Sequence, residues 1–146
     1  MDDKARIRFI KILLATFMFF VVYNTLIPFK IYLSPGKLLR EFNQIDWTPY
    51  FHNGRFNSLT DIVGNIILFL PFGFLFYLHQ YYSQKTAPLL RVMIFGFLFS
   101  LSIETAQVFF KYRITSVTDL CNNTLGALGG AFAAKIYLTM FEEQVR

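Results

Sequence analysis

Three short phrases pair an acidic with an amide side chain at the ends of long apolar runs. Asp61 and Asn65 are four residues apart, Asp119 and Asn123 repeat that spacing 58 positions later, and Glu104 and Gln107 are three apart. On a helix, separations of three and four put side chains on one face, so each phrase offers one acid and one amide side by side. Three carboxylates brought together can divide acid and base roles, hold a divalent cation or fix a polar ligand. Arg55, Lys111 and Arg113 flank the same phrases and can pair with those carboxylates or attract an anionic group.

Composition decides which elements carry these phrases. Of 146 residues, 55% are hydrophobic and 19% aromatic, and the mean hydropathy is +0.44. Nineteen Phe and eight Tyr are hard to hide in a soluble core of this size. A bilayer, by contrast, solvates Phe and accepts Tyr and Trp at its interfaces. Four segments are long enough to cross ~30 Å of hydrocarbon, for which a helix needs about 20 residues. They lie near Ile7–Ile27, Ile62–Tyr82, Val92–Phe110 and Leu120–Met140. The sequence therefore predicts an all-α integral membrane bundle of four transmembrane helices forming a single domain over residues 1–146, with a long loop over 28–60 between helices 1 and 2.

The first span follows Lys4, Arg6 and Arg8 and starts like a signal peptide, but its apolar stretch is too long and no small-residue cleavage site follows Ile27. It reads as a retained anchor. The basic flank predicts a cytoplasmic N-terminus, Lys85 and Arg91 fall on the same side, and four spans return the C-terminus there. That orientation places Lys30, Lys37, Arg40, Arg55, Lys111 and Arg113 outside. The loop from Pro28 to Thr60, rich in Phe, Tyr, Lys and Arg and carrying Trp47, is expected on the outer interface, with a short helix over Pro35–Phe42. It serves either as an aromatic belt or as a lid over a ligand.

Alternating direction brings the three phrases together. Spans two and four run the same way and span three runs against them, so the starts of two and four meet the end of three. At about 1.5 Å per residue, Asn65 and Asn123 lie roughly 6 Å below their aspartates and Glu104 lies roughly 9 Å inside Phe110. Ionisable and amide groups inside spanning helices are costly and tend to face the bundle interior, where they mark function. Simple capping remains an alternative for Asp61 and Asp119, since an acid near a helix start complements its dipole. A structural salt bridge or hydrogen bond is the alternative for Glu104. Pro71 and Gly73 stand inside span two, and Gly126, Gly129 and Gly130 form a small-residue face on span four suited to packing against another span.

The net charge of +5 comes from basic residues at the ends of apolar runs, as topology signals and lipid contacts do, and gives no stripe for nucleic acid. Cys121 is the single cysteine and the two histidines are scattered, so neither a disulfide nor a metal site is expected, and no cofactor is implied.

The ordered set resembles the VanZ-like family of bacterial membrane proteins. Its residues here are Asp61 with Asn65, Phe69, Pro71 and Gly73, then Glu104 and Gln107, then Arg113, Asp119, Asn123, Gly126 and Gly129. Asp46-Trp47-Thr48-Pro49-Tyr50 resembles a looser form of an Asn-x-x-Pro-Phe element that precedes them in the family. The resemblance covers about the last ninety residues. It implies a four-span protein of the bacterial plasma membrane, linked through its best-known relative to low-level teicoplanin resistance, and implies no biochemical activity.

Two functions fit these residues. One is a non-enzymatic envelope protein that binds an amphiphilic ligand, either a lipoglycopeptide antibiotic or a lipid-linked cell-wall precursor, at its outer face. Its ligand-binding set is Asp61, Asn65, Glu104, Gln107, Arg113, Asp119, Asn123 and Arg55. The other is an intramembrane enzyme acting on an envelope lipid or head group, with Glu104, Asp61 and Asp119 as its catalytic candidates. Membrane lipids are the common partners of both. A transporter is third: four spans are few for alternating access without a homodimer, and the repeated phrase opens spans of the same direction, unlike an inverted repeat.

Overall fold

A computed structural model describes residues 2–31, 34–43, 45, 47–52, 55–84, 88–110 and 115–141. The four apolar runs form α1 (Asp3–Leu26), α3 (Leu59–Gln84), α4 (Leu89–Gln107) and α5 (Val117–Phe141). Each is long and apolar enough to cross a membrane. Between α1 and α3 lie α2 (Pro35–Asn43) and an antiparallel pair of two-residue strands, β1 (Phe51–His52) and β2 (Arg55–Phe56). Large apolar side chains face outward on the spans, with Phe19 70%, Ile67 59% and Leu90 61% exposed, the pattern of helices solvated by lipid. The chain is a multi-pass membrane protein of all-α class.

The helices keep the expected order, with shifted edges. α4 begins and ends three residues earlier than the apolar run suggests. Pro88 stands at its N-cap, and beyond Gln107 the chain turns, with the Phe109 and Phe110 N–H groups donating to Ala106 and Gln107 carbonyls. α2 extends one residue past Phe42, leaves Leu39 and Phe42 exposed and packs on no other element among the described residues. That is how an amphipathic helix lying in a membrane interface is built.

α1 and α4 end where α3 and α5 begin, at the level of the strand pair, here named the hairpin end. An isolated bridge between Ile31 and Phe110 ties the exits of α1 and α4 there. At the opposite end the Arg6 guanidinium lies 4.9 Å from the Tyr82 ring centroid, joining α1 to α3, and Arg91 donates to Gln84 across the α3–α4 turn.

α5 packs against α3 and α4, whereas α1 packs against α3 and α4 and does not touch α5 among the described residues. The core includes Phe69, Phe72, Val92, Ile103, Ala127, Ala131 and Ala134. Gly126 and Gly130 lie on the Ile66 and Leu70 carbonyls of α3, and Gly73 of α3 lies on the Ala127 backbone; a Cβ at any of them would overlap main chain. Lipid offers no hydrophobic reward for helix pairing, so close backbone approach through small residues supplies the contact. The small-residue face of the fourth span thus packs against the second, and α3 runs unbroken through Pro71.

Candidate functional site

The α4–α5 register brings the buried polar groups to one level. Asn123 Nδ2 donates to Ser100 Oγ at 2.9 Å. Glu104 stands one turn further along α4 and Asp119 one turn back along α5, so antiparallel packing brings the two carboxylates to the same level. Glu104 is 4% exposed; its Oε2 accepts the Ser116 backbone N–H at 3.0 Å, and Thr115 Oγ1 donates to its carbonyl at 3.1 Å. Asn65 Nδ2 donates to Asp119 Oδ1 at 2.7 Å and brings α3 to the same centre. Gln107 Nε2 donates to the Thr25 carbonyl of α1 at 3.3 Å. All four spans therefore contribute.

The start of α5 is capped by Ser116, whose Oγ accepts the Thr118 N–H at 3.1 Å. Thr118 in turn accepts twice: the Tyr50 N–H reaches its Oγ1 at 2.8 Å and Asn57 Nδ2 at 3.1 Å. The Asn57 N–H donates to the Tyr50 carbonyl at 2.9 Å, closing the hairpin segment over α5. Tyr50 holds φ at 64°, a left-handed conformation that costs a bulky residue roughly 1–3 kcal/mol and persists where surrounding contacts impose it. Here the bond from its own N–H to Thr118 is one such contact.

Besides the two amide atoms of Gln80 near the far end of α3, four buried polar atoms at this end remain over. Gln107 Oε1, Asn123 Oδ1 and both side-chain polar atoms of Asn122 are buried with no hydrogen-bond partner among the described residues. Exchanging O and N of Asn123 would not help, because its other end would then be orphaned. A buried group of this kind calls for a water or a ligand. Three of the four atoms are acceptors, so the centre suits a group rich in donors. Among the described residues no set of three or more His, Cys, Asp or Glu is arranged to hold a metal ion.

Of the eight residues expected to form the site, Asn65, Glu104, Gln107, Asp119 and Asn123 are gathered at this level. Asp61 is exposed at the start of α3, one turn above Asn65, with its N–H donating to the Ser58 carbonyl. Arg55 pairs with His52 across the strands, but its side chain lies outside the described residues. Arg113 lies outside them altogether, as do Lys111, Lys85 and Asp46. Ser100, Ser116, Thr118 and Asn122 belong to the centre and were not anticipated. Two had a signal: Ser100 precedes Glu104 by one turn, and Ser116 stands where a helix cap belongs.

The family model described as VanZ/LLP1 matches residues 8–138. The chain is similar to Protein VanZ of Enterococcus faecium, 30% identical over 117 residues, which cover 77% of this chain and 66% of that protein, just under two thirds of its length. No solved structure matches. With nearly every residue from the first span to the fourth inside the family match, the chain belongs to the VanZ/LLP1 family.

Proposed function

We propose that the protein binds a lipid-linked or amphiphilic ligand at the outer face of the bacterial plasma membrane and acts through it in glycopeptide resistance, teicoplanin above all. The observation that carries this reading is the set of buried, unpartnered amide atoms of Gln107, Asn122 and Asn123 around Glu104 and Asp119, inside a membrane bundle. A spanning protein that served only to pack would be expected to satisfy or omit them. The ligand's donors meet the acceptors, and the aromatic hairpin segment lies above. Arg55 and Arg113 belong to the proposed set as contacts for anionic groups. With both termini cytoplasmic, the hairpin end faces the cell wall.

The test compares teicoplanin and vancomycin susceptibility in a sensitive Gram-positive host carrying wild type or Glu104→Ala, with membrane insertion checked. Protection against the acylated drug, lost in the variant and absent for vancomycin, is the expected result. Equal protection by both forms would sink the reading.

The facing of Glu104 and Asp119 across α4 and α5 favours a second reading, an intramembrane enzyme that divides acid and base roles between them. Glu104→Gln separates the two. Turnover of an envelope lipid, followed by mass spectrometry, stops in that variant if Glu104 is a general base, whereas a binding role tolerates the amide.

A further inference from the structure

Thr118, Asn122 and Gly126 occupy successive turns of one face of α5. Thr118 carries the hairpin segment through two hydrogen bonds to a single hydroxyl. One turn below, Asn122 is 1% exposed, with neither amide atom paired among the described residues. It lies on the α3 side of α5, apart from the Asn123–Ser100 contact with α4. Gly129, part-exposed, leads down the same side.

Eight to eleven residues further on, at ~12–16 Å by helical rise, that side of α5 reaches a cleft. Its walls include Leu13 and Phe17 of α1, Leu70 and Phe74 of α3, and Gly130 and Ala133 of α5. It exists because α1 and α5 both lean on α3 without meeting. Every lining residue is apolar and the volume is about 620 Å³; in a bundle that spans a bilayer, an opening at mid-span meets hydrocarbon. In that medium the contents are hydrocarbon. The volume corresponds to about twenty groups of water size at ~30 Å³ each, the bulk of one fatty chain. A docked helix, 10–12 Å wide, would need a groove continuing along the span, whereas this one is confined to the middle turns. Half the hydrocarbon thickness is ~15 Å, so a chain entering from the hairpin end reaches it with its terminal half.

We propose that this cleft takes the acyl chain of a single-chain amphiphile, and that the polar linkage at the head of that chain, bearing one donor and one acceptor, pairs with Asn122. The inference rests on the amphiphile-binding reading and adds to it the class of ligand and the place of its tail. The amide of Asn122 is complementary to an N-acyl linkage, which offers one N–H and one carbonyl.

The full chain in phosphatidylglycerol nanodiscs is irradiated with two probes that carry a diazirine in mid-chain, one an N-acyl amide and the other an ether lacking the amide. Cross-links are mapped by mass spectrometry. The amide probe is expected to label Leu13, Phe17 and Phe74 about tenfold more than the lipid-facing Phe97 and Leu98 of α4. Ala133→Trp and, from the opposite wall, Leu13→Trp both change exposed residues, so folding is retained, and each lowers the labelling of Phe74 about tenfold. Asn122→Leu removes the preference for the amide probe over the ether. Equal labelling of cleft and α4 overturns the proposal in favour of ordinary annular lipid, and cross-links between two copies at Ala133 overturn it in favour of a dimer seam. If the cleft labels as expected but Ala133→Trp leaves drug protection intact, the site stands and the resistance reading falls. Protection that depends on Glu104 with no labelling of the cleft gives the reverse.

Discussion

Helix α5 turns two different chemistries to its two neighbours. Toward α3 it presents Gly126 and Gly130, which rest on main-chain carbonyls. Toward α4, at the hairpin end, it presents Asn123, which donates to Ser100, and at its start the Ser116 N–H, which donates to Glu104. In water both seams would be apolar and burial would hold them. In lipid, burial between helices gains little, so one seam is defined by how closely backbones approach and the other by which polar groups must find partners. The first sets distance, the second sets register and leaves buried polar atoms with no partner among the described residues.

The comparison breaks most completely at the glycine seam. Gly130→Leu puts a branched side chain against the Leu70 carbonyl and the Phe74 amide of the neighbouring helix. Overpacking typically costs ~1–3 kcal/mol where side chains can yield, and backbone cannot, so a loss above about 3 kcal/mol is expected. Thermal melting in detergent micelles would show the variant aggregating or melting far below wild type. A variant that melts like wild type would mean that α3 and α5 are not in close backbone contact.

The polar end of α5, which Asn65 of α3 also joins through Asp119, answers with a smaller effect on stability and a larger one on function. Asn65→Leu keeps the side-chain size but takes the donor away from Asp119 Oδ1. Hydrogen bonds to charged groups contribute ~1.5–3 kcal/mol in soluble proteins, and measured interhelical bonds in membranes average ~0.6 kcal/mol. About 1 kcal/mol is expected here, read from unfolding in mixed detergents, together with reduced drug protection. A variant as stable as wild type and fully protective would remove Asn65 from the centre.

The contrast also explains what could be read before folding and what could not. The spans announce themselves as apolar runs, and alternating direction is enough to place Asn65, Glu104 and Asn123 at one depth. Their edges are harder, because lipid removes the polar face that marks a soluble helix; α4 starts where Pro88 permits rather than where apolarity rises. The two Thr-Asp phrases look alike in sequence, yet Asp61 is exposed while Asp119 accepts from Asn65. A serine precedes both phrases at the same offset, Ser58 and Ser116, so the difference lies not in the phrase but in the neighbouring helix that reaches Asp119 through Asn65. Asn122 and Asn123 are adjacent and chemically identical. Only the placement of α3 and α4 around α5 sends one to a serine and leaves the other unpaired. Strands of two residues, such as Phe51–His52, are too short to show an alternating pattern.

The smallest effect belongs to Thr118, where the hairpin segment meets α5. Thr118→Val preserves shape and removes the one acceptor shared by the Tyr50 N–H and Asn57 Nδ2. Two neutral hydrogen bonds at ~0.6 kcal/mol each predict a global change of no more than about 1 kcal/mol. The local change is larger, because Tyr50 keeps a positive φ of 64° that this bond helps to impose. Released, the residue relaxes toward ordinary backbone angles and its amide loses protection. Hydrogen exchange over residues 50–57 should therefore accelerate several-fold in the variant while the glycine-packed middle of α5 is unchanged. Uniform exchange in both regions would mean that the hairpin segment is held from elsewhere, and that the polar centre is roofed independently of the helix that builds it.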